Sequence, residues 1–599
     1  MTKEKQKNKT TRNTKGIFLR LCGYVFHYWY LFIPAVVFTL FSNQLALLGP
    51  KYSGIAIDAL SGSEVNFDIV YENVIKMIFC YVVSAVTSYG LSSLMIFMSQ
   101  RISYTIRKQL FEKLTSLPVG YFDTHPTGDI ISHISYDVDT VNSSLSHDLV
   151  QIMTSIYTVL GSLIFMWNIS KPLIAVFLIT IPISIIFTRY RTKKIKPLFR
   201  LRSKKLGELN GYAEEMLSGC RSIQAYSRQE EISGRFNKRN TESMDAYYEA
   251  DYHGCIMGPT VNFINNLSIS LVMILGGILY MLSQSGAAKA GSIFFITLGG
   301  VAQFVQYSRK FAGPINEFAN ILTELQSAFS AAERIFNILD EEPETLDKKD
   351  AIVLENPKGK VDFKDIVFGY TKDKIILKGI DFTALEGKTV AIVGPTGAGK
   401  TTIINLLMRF YDANRGVIEV DGIDSSDYTR TSLRKAYTMV LQDTWLFAGT
   451  VFDNIAYGKE NATREEVIAA AKAAKIHSFI ESLPDGYDTV LTDDGINISK
   501  GQRQLITIAR AMISKSNMLI LDEATSNVDS RTEIKIQEAM NRLMTGKTCF
   551  VIAHRLSTIQ NADVILVLQD GIITEQGNHQ ELLKLKGFYS TLYNSQFVE

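Results

Sequence analysis

The first half of the chain contains six long stretches without a single Asp, Glu, Lys or Arg. They lie between the following pairs of charged residues: Arg20 and Lys51, Lys76 and Arg101, Asp148 and Lys171, Lys171 and Arg189, Asp251 and Lys289, and Lys289 and Arg309. A helix needs about 20 mainly apolar residues to cross a bilayer, where water cannot satisfy the backbone. The stretches therefore predict six transmembrane helices. Their number and length disfavour the alternative, helices buried in a soluble core.

The basic residues predict which ends of these helices face the cytoplasm. The N-terminal tail and the segments 101–113 and 189–205 are rich in Lys and Arg, whereas the loop at 51–72 is mildly acidic. Because basic loops stay in the cytoplasm, both termini of this multi-pass chain are expected there. The tail is interpreted as a solvated leader, with binding to anionic lipid or to a partner as the alternative.

The overall charge argues against one large class of partner. The 62 Lys and Arg residues are balanced by 60 Asp and Glu residues, which gives a formal net charge of only +2. Proteins that bind nucleic acid carry a basic surplus, so no nucleic acid is expected as a partner. The five cysteines follow no CxxC or framework spacing and are interpreted as free thiols.

The chain changes character in its second half. Polar segments at about 101–148 and 190–250 keep helical spacing and are predicted to extend the spans into the cytosol. Beyond a charged linker, short β-rich runs alternate with helical runs, the pattern of a mainly parallel sheet covered by helices. The sequence thus predicts a membrane domain with a basic tail over residues 1–342 and a soluble α/β domain over 343–599.

The run "TVAIVGPTGAGKTTIINLLMRF" predicts an apolar strand, a glycine-rich loop and a helix. The glycines allow backbone N–H groups to surround a phosphate, and the helix N-terminus adds its dipole. Lys400 can reach the β- and γ-phosphates, and the Thr401 hydroxyl can ligate Mg2+. The residues predicted to bind ATP and Mg2+ here are Gly394, Pro395, Thr396, Gly397, Ala398, Gly399, Lys400, Thr401 and Thr402.

A second apolar strand, in "MLILDEATS", ends in two carboxylates. Asp522 is predicted to bind the metal, and Glu523 to polarise the attacking water as the catalytic base. A strand that ends in two acids would mean little by itself. After a phosphate-binding loop in the same α/β domain, it predicts ATP hydrolysis.

Together these motifs resemble the exporter type of ABC transporter over nearly the whole chain. The resemblance adds an A-loop aromatic (Tyr370), a Q-loop residue (Gln442), a signature ("ISKGQ", 498–502), a D-loop ("SNVD", 526–529) and a switch histidine (His554). The runs "YFDTHPTGDIISHISYDV" and "EEMLSGCRSIQAYSRQ" resemble the two intracellular coupling regions of the family. The implied fold is a membrane α-helical domain, with six transmembrane helices and long cytoplasmic extensions, followed by an α/β P-loop ATPase domain with a helical subdomain. The combination of one six-span half with one nucleotide domain suits a bacterial plasma membrane.

The resemblance also implies a role for each added residue. Tyr370 would stack on adenine, and Gln442 would bridge the metal and the attacking water. His554 would contact the γ-phosphate, so the catalytic set would be Glu523, His554 and Gln442, with Gln442 also a metal ligand. Asp529 would reach across the interface of a dimer.

The signature departs from the family consensus LSGGQ. Ser499, Gly501 and Gln502 match the consensus, but Lys500 replaces the first Gly. The three matching residues would bind ATP held by the Walker residues of a second subunit, which are the equivalents of the glycine-rich loop and of the carboxylates Asp522 and Glu523. A side chain at position 500 is expected to restrict the backbone dihedrals and to crowd the γ-phosphate. Intact Walker residues beside a degenerate signature favour a heterodimer with a homologous half-transporter that lacks its own catalytic glutamate. A homodimer that tolerates Lys500 is the alternative.

In the implied cycle, ATP brings two ATPase domains together and hydrolysis lets them part. The coupling regions, around Thr124–Ile131 and Tyr212–Ser222, would pass this change to the membrane helices. His133 stands where relatives often carry Arg, so an interdomain charge contact is expected to be missing.

The implied function is ATP-driven export of a small hydrophobic or amphipathic substrate, a drug or a lipid. An ATP-gated channel or regulator on the same scaffold is an alternative, and the six spans argue against a soluble ABC ATPase. Polar residues in the spans either line a translocation cavity or join helices. They are Asn43, Gln44, Asn262, Asn265, Asn266 and Gln303.

Overall fold

In the computed structural model of the protein, the described residues are 14–61, 65–288, 292–371, 373–441, 444–491, 498–522, 529–552 and 559–597. They form two compact units, Met1–Thr115 with Thr127–Glu341 and Ser116–Pro126 with Glu342–Glu599. The short segment Ser116–Pro126 thus belongs to the second unit, although the chain on either side of it belongs to the first.

The first unit consists of long helices. They are α1 (Thr14–His27), α2 (Trp29–Ser61), α3 (Phe67–Thr115), α5 (Thr127–Ser132), α6 (Val138–Ser143), α7 (Leu149–Ile169), α8 (Lys171–Ser218), α9 (Cys220–Ala225), α10 (Gln229–Cys255), α11 (Met257–Gln284) and α12 (Leu298–Asp340), while α4 (Val119–Thr124) lies in the second unit. Two π-helical turns, His133–Asp137 and Ser144–Asp148, connect α5, α6 and α7. Helices α3 and α8 have 49 and 48 residues, far more than a bilayer requires, so the predicted helical extensions are present.

Five helices of the described residues are long and apolar enough to cross a membrane. They are Trp29–Ser61, Phe67–Thr115, Thr127–Ile169, Lys171–Ser218 and Gln229–Gln284. The sixth predicted stretch differs, because α12 begins only at Leu298 and reaches Arg309 and Lys310 about three turns later. These two cations lower its hydropathy, so α12 is long enough to cross a bilayer but is less apolar than the other five.

Three of the polar side chains predicted within the spans join neighbouring helices. Thr158 Oγ1 donates to Asn43 Oδ1 (3.2 Å) and Tyr157 Oη donates to Gln44 Oε1 (2.7 Å), and both bonds tie α7 to α2. Gln303 Nε2 of α12 donates to a backbone carbonyl of α2 (3.3 Å). For these three residues the contacts favour the helix-joining interpretation over a cavity lining.

His133 has a charged partner within the first unit. Its Nδ1 lies 2.7 Å from Oδ2 of Asp137, a carboxylate that is almost fully buried. Asp137 also accepts two hydrogen bonds from the guanidinium of Arg334 in α12. The histidine therefore belongs to a charge cluster that fastens the first π-helical turn to α12, which the sequence did not predict.

The second unit is built on three sheets. Its strands are β1 (Val361–Phe368), β2 (Leu377–Ala384), β3 (Thr389–Val393), β4 (Arg415–Val420), β5 (Ile423–Asp424), β6 (Tyr437–Val440), β7 (Gly449–Thr450), β8 (Val490–Leu491), β9 (Met518–Asp522), β10 (Thr548–Ile552), β11 (Val564–Gln569) and β12 (Ile572–Gly577). The main sheet has the order β12–β11–β3–β10–β9–β6 and is parallel except for β12. A second sheet, β2–β1–β4–β5, is antiparallel, and β7 pairs with β8.

Helices cover these sheets. Besides α4 they are α13 (Lys400–Leu407), α14 (Arg430–Ala436), α15 (Val451–Ala456), α16 (Arg464–Ala473), α17 (His477–Glu481), α18 (Lys500–Ile513), α19 (Ser530–Met544), α20 (His579–Leu585) and α21 (Phe588–Phe597).

The parallel strands are apolar at nearly every position because both faces of the main sheet are covered. In β3, Val390 and Ile392 belong to a core that includes the antiparallel sheet and α13, whereas Ala391 and Val393 belong to a core that includes α16 and α18. Successive side chains of a strand point to opposite faces, so one apolar run fills both cores. The predicted α/β architecture of this half is confirmed.

Within the second unit, helix α4 packs against a tyrosine, Tyr411. Tyr411 Oη donates a hydrogen bond to Asp123 Oδ2 (2.5 Å). A side chain at Gly120 would collide with the same ring, since a Cβ there would lie 2.9 Å from Tyr411 Cε1. Helix α4 thus directly precedes and overlaps by one residue the predicted coupling region Thr124–Ile131, whose coupling role stays a prediction.

Replacing Tyr411 by Phe should loosen α4. Burial and the Asp123 carboxylate raise the pKa of Tyr411, so its hydroxyl remains a donor at neutral pH. The variant keeps the ring but loses a bond to a charged group, which contributes about 1.5–3 kcal/mol. Amide exchange at Tyr121 and His125, whose N–H groups bond locally in this segment, should accelerate by about tenfold or more in hydrogen–deuterium exchange.

A matched control is Tyr457→Phe, which alters an exposed tyrosine of the same unit. Exchange in α4 that is the same in Tyr411→Phe as in the unsubstituted chain would contradict this account of the contact.

Candidate functional site

The glycine-rich loop joins β3 to α13 and has the backbone of a phosphate cradle. Gly397 and Gly399 have φ values of +85° and +104°, a region that side chains other than glycine rarely adopt. A Cβ at Gly394 would lie 2.1 Å from the carbonyl oxygen of Leu568, so no larger residue fits there. The sequence thus bends sharply into the N-terminus of α13, where free N–H groups and the helix dipole favour an anion.

Lys400, the first residue of α13, extends back over this loop. Its Nζ donates to the carbonyl oxygens of Gly394 (2.8 Å) and Pro395 (3.0 Å). Burial lowers the pKa of Lys400, and the Asp522 carboxylate opposes that shift. A phosphate oxygen is a stronger acceptor than a carbonyl for a desolvated ammonium, so the residues present fit the phosphates of ATP.

Asp522 is held near the loop by strand register. It is the last residue of β9 and pairs with Ile552 of β10, which in turn pairs with Ile392 of β3. The carboxylate therefore lies two strands, roughly 10 Å, from β3 at the level where the cradle begins. With the exposed hydroxyl of Thr401 it supplies the hard oxygen ligands that suit Mg2+.

The three predicted catalytic residues, Glu523, His554 and Gln442, lie outside the described residues. The strands that precede them, β9, β10 and β6, end at Asp522, Ile552 and Val440. These strands are neighbours and parallel, so their carboxyl ends share one edge of the sheet with the cradle.

Tyr370 is fixed beside the cradle by its hydroxyl. Asn405 Nδ2 donates to the Tyr370 oxygen (2.9 Å), and Thr402 Oγ1 lies 3.3 Å from it. The ring is 43% exposed and meets the rings of Phe368 and Tyr411 edge-on, at centroid distances of 5.1 and 4.9 Å. Such an arrangement suits stacking on a base.

Two residues at this site were not predicted from the sequence. Asn405 positions Tyr370, and the available signal was a single polar side chain in the apolar run "TIINLLM". Tyr411 contacts both Tyr370 and Asp123, and nothing in its neighbourhood in the sequence indicates this.

The signature residues lie at the N-terminus of α18. Ser499 is the N-cap, its hydroxyl accepts from the N–H of Gln502 (3.3 Å), and its own N–H donates to Gln502 Oε1 (2.8 Å). Gly501 is buried beneath this turn. Helix α18 packs on α15, α16, α19 and β6, whereas α13 packs on β10.

The backbone at Lys500 corrects one sequence-based expectation. Lys500 is the first residue of α18 and has a negative φ, so a side chain there causes no dihedral strain. Its effect on a phosphate must come from space and charge alone. The first turn of α18 contains no acidic residue, and Lys500 adds a cation at the positive end of the helix dipole.

Asp529 caps α19. Its side chain accepts from the N–H of Thr532 (2.9 Å), and this bond and further ones to the same turn hold its pKa below the usual range. In the described residues the carboxylate therefore serves its own helix, and the D-loop residues before it lie outside them. Its predicted role across a dimer interface stays a prediction.

A phosphate cradle, a strand-end carboxylate and a separate unit of membrane-crossing helices define an ATP-driven membrane transporter. Family models agree: "ABC transporter transmembrane region" matches residues 31–305 and "ABC transporter" matches residues 377–526. The chain belongs to the ABC transporters, as the motifs predicted, and it is a multi-pass membrane protein that couples ATP hydrolysis to transport.

Full-length relatives extend this likeness. The "Uncharacterized ABC transporter ATP-binding protein YfiC" of Bacillus subtilis is 41% identical over 593 residues, 99% of this chain and 96% of its own length. The "Fatty acid ABC transporter ATP-binding/permease protein" of Mycobacterium tuberculosis is 40% identical over 89% of this chain and 82% of its length. The structure of a bacterial Atm1-family ABC exporter with ATP bound matches with a TM-score of 0.75 and 28% identity, covering 95% of this chain and 98% of its own. The fold is therefore that of an ABC exporter.

The contacts of Tyr370 predict different outcomes for two substitutions. Tyr370→Ala removes the stacking surface, which is worth about 1–3 kcal/mol per base, so the dissociation constant for a fluorescent ATP analogue should rise by about tenfold or more. Tyr370→Phe loses only the hydroxyl contacts to Asn405 and Thr402 and should change this constant by less than about threefold. Binding by the Ala variant that equals that of the unsubstituted chain would show that Tyr370 does not contact the base.

Proposed function

We propose that this chain is one half of a dimeric exporter that moves an amphipathic, lipid-like substrate out of the cell at the expense of ATP. A single observation carries the proposal: one chain combines a phosphate cradle with membrane-crossing helices, and its α4 segment is part of the cradle's unit. The proposed location is a bacterial plasma membrane with both termini in the cytoplasm, in keeping with the basic segments.

The proposed roles at the nucleotide follow from the geometry of the sheet edge. Lys400 and the loop N–H groups hold the phosphates, and Thr401 and Asp522 hold Mg2+, which neutralises charge on the phosphates. Glu523 polarises the attacking water, and Gln442 and His554 position the water and the γ-phosphate. Each of the last three follows a strand that ends at the same edge.

The proposed substrate carries a negative charge on its polar end. Arg309 is exposed and Lys310 half-buried on α12, and neither has a carboxylate partner within the described part of the chain. They lie about 16 Å from the start of α12, inside the thickness of a bilayer, where an unpaired cation facing lipid would be costly. An anionic head group in the transport pathway would compensate them, and a fatty acid, named for the mycobacterial relative, has this chemistry.

The proposed partner is a homologous half-transporter with a consensus signature. Lys500 adds a mobile side chain where the consensus offers only a backbone N–H, and a fixed donor orients a phosphate better than a point charge. A heterodimer confines Lys500 to one of two sites and leaves the Walker residues of this chain facing an intact signature. The unstrained backbone at Lys500 favours the alternative, a homodimer in which both sites tolerate it.

The two assemblies differ in the activity of the chain purified alone. In the heterodimer proposal, this chain alone in nanodiscs should hydrolyse ATP slowly and gain activity with a co-expressed half-transporter. Lys500→Ala and Lys500→Gly should both raise the ATP hydrolysis rate of the chain alone by about tenfold or more. Both variants remove the long side chain and its charge, and a helical position does not require glycine. Glu523→Gln in the same background should abolish the gain.

A stable homodimer that hydrolyses ATP briskly and depends on Glu523 would contradict the heterodimer. A gain in Lys500→Gly but not in Lys500→Ala would show that position 500 needs glycine dihedrals after all. Molecular mass and ATPase rate, measured on the same samples, distinguish these cases.

The proposed charge of the substrate predicts how ATPase stimulation depends on α12. Arg309→Gln with Lys310→Gln should raise the half-stimulating concentration of a long-chain fatty acid by about tenfold or more, because charge-assisted bonds contribute about 1.5–3 kcal/mol. Stimulation by the corresponding fatty alcohol should not change. The control is Lys171→Gln, at the first residue of α8. An equal rise in the half-stimulating concentrations of the fatty acid and the fatty alcohol would contradict the proposal.

A further inference from the structure

Helix α8 carries a run of cations that no carboxylate of the described residues neutralises. The basic band is Arg189, Arg191, Lys193, Lys194, Lys196 and Arg200. None of the six forms an ion pair with a residue that the structure describes. All are exposed except Arg191, which is half-buried and whose Nε has no hydrogen-bond partner. The chain contains no Asp or Glu between Asp148 and Glu208, so the helix itself offers no counter-charge.

Charge pairing begins immediately beyond this band. Arg202 Nη1 lies 2.7 Å from Asp251, and Lys205 Nζ lies 2.8 Å from Glu242 and 3.1 Å from Glu208. The same helix therefore has paired cations in its distal part and unpaired cations in its proximal part. Unpaired charges in a row repel one another, which favours a counter-charge from outside the described residues.

The band lies where α8 leaves the bilayer. About 20 residues cross the apolar layer, so a helix that enters at Lys171 reaches the opposite boundary near Arg191. Between Lys171 and Arg189 the exposed side chains are apolar, with Ile183 and Ile186 exposed by 52% and 67%. Tyr190 is exposed at the boundary, and Lys194 Nζ lies 4.8 Å from the centre of its ring. Aromatic and basic side chains at this depth are typical of the headgroup layer.

We propose that the basic band binds the headgroups of anionic phospholipids in the cytoplasmic leaflet. The attraction of such a leaflet for cations acts within about one Debye length of the surface, ~8–10 Å, which covers the band as far as Lys196, about 7 Å beyond Arg191, but not the paired Arg202 and Lys205, which are about 16 Å or more beyond it. This lipid contact is separate from the proposed transport substrate, and its measurement needs neither ATP nor transport.

The test uses spin-labelled phosphatidylglycerol and phosphatidylcholine with the full-length chain in mixed vesicles of the two lipids. Lys193→Gln with Lys194→Gln and Lys196→Gln should lower the ratio of the two association constants by about fivefold or more, and high salt should do the same to the unsubstituted chain. The control replaces three exposed, unpaired lysines of the second unit, Lys349, Lys472 and Lys584, by Gln and carries the same change in net charge. Single substitutions of Lys193 and Lys196 should each give a partial effect if the triple variant does not fold.

An unchanged ratio in the band variants, at any salt concentration, overturns the proposal. An equal loss in the control variant also overturns it, because net charge alone would then explain the preference. If the band variants keep the lipid preference but lose association with a second half-transporter, the cations face an acidic protein surface and the proposal is wrong.

Discussion

The geometry of the proposed nucleotide site depends on one constraint: parallel strands that are neighbours end at the same edge of a sheet. Both faces of β3, β9 and β10 are buried, so a slip of one residue would exchange the two cores. The register Ile392–Ile552–Asp522 is therefore fixed by burial and not by the site itself. This register places the Asp522 carboxylate at the level of the cradle. Lys400, at the start of α13, interacts with both.

Within the second unit, Tyr411 links this edge to helix α4. Its ring meets Tyr370, the proposed base-stacking residue, at 4.9 Å, and its hydroxyl holds Asp123 of α4. A base that settles on Tyr370 would thus press on a side chain that also anchors α4. Because aromatic contacts are stiff and close-packed, a displacement of a few tenths of an ångström at one ring has to be taken up by the other. The nucleotide side and α4 share a residue, and no long relay is needed between them.

The features predicted from the sequence are those that depend on local pattern. The apolar runs predicted the long helices and the parallel strands, and the glycine spacing predicted the loop whose φ values at Gly397 and Gly399 are positive. The contacts that were missed are non-local: Asn405 with Tyr370, and Arg334 with Asp137, are far apart in the sequence. The sixth span, in α12, was predicted from a stretch without charged residues. This rule does not take into account that glutamines in the stretch and the cations next to it lower the mean hydropathy of the helix. The side chains of Glu523, His554 and Gln442 rest on motif alone.

The position of Lys500 affects two functions of a signature differently: binding the nucleotide and accelerating its hydrolysis. In the proposed dimer, Ser499 and Gln502 satisfy each other in a capping box at the end of α18 that would face a phosphate. A phosphate at this positive end of the helix would also contact the Lys500 ammonium, which favours binding. Fast hydrolysis requires hydrogen-bond donors that already point to where negative charge develops in the transition state. The flexible side chain of Lys500, with its four methylenes, is not preorganised in this way. In the proposed heterodimer, a signature with Lys at this position would hold a nucleotide but would accelerate its hydrolysis poorly, as expected of the slower of two unequal sites.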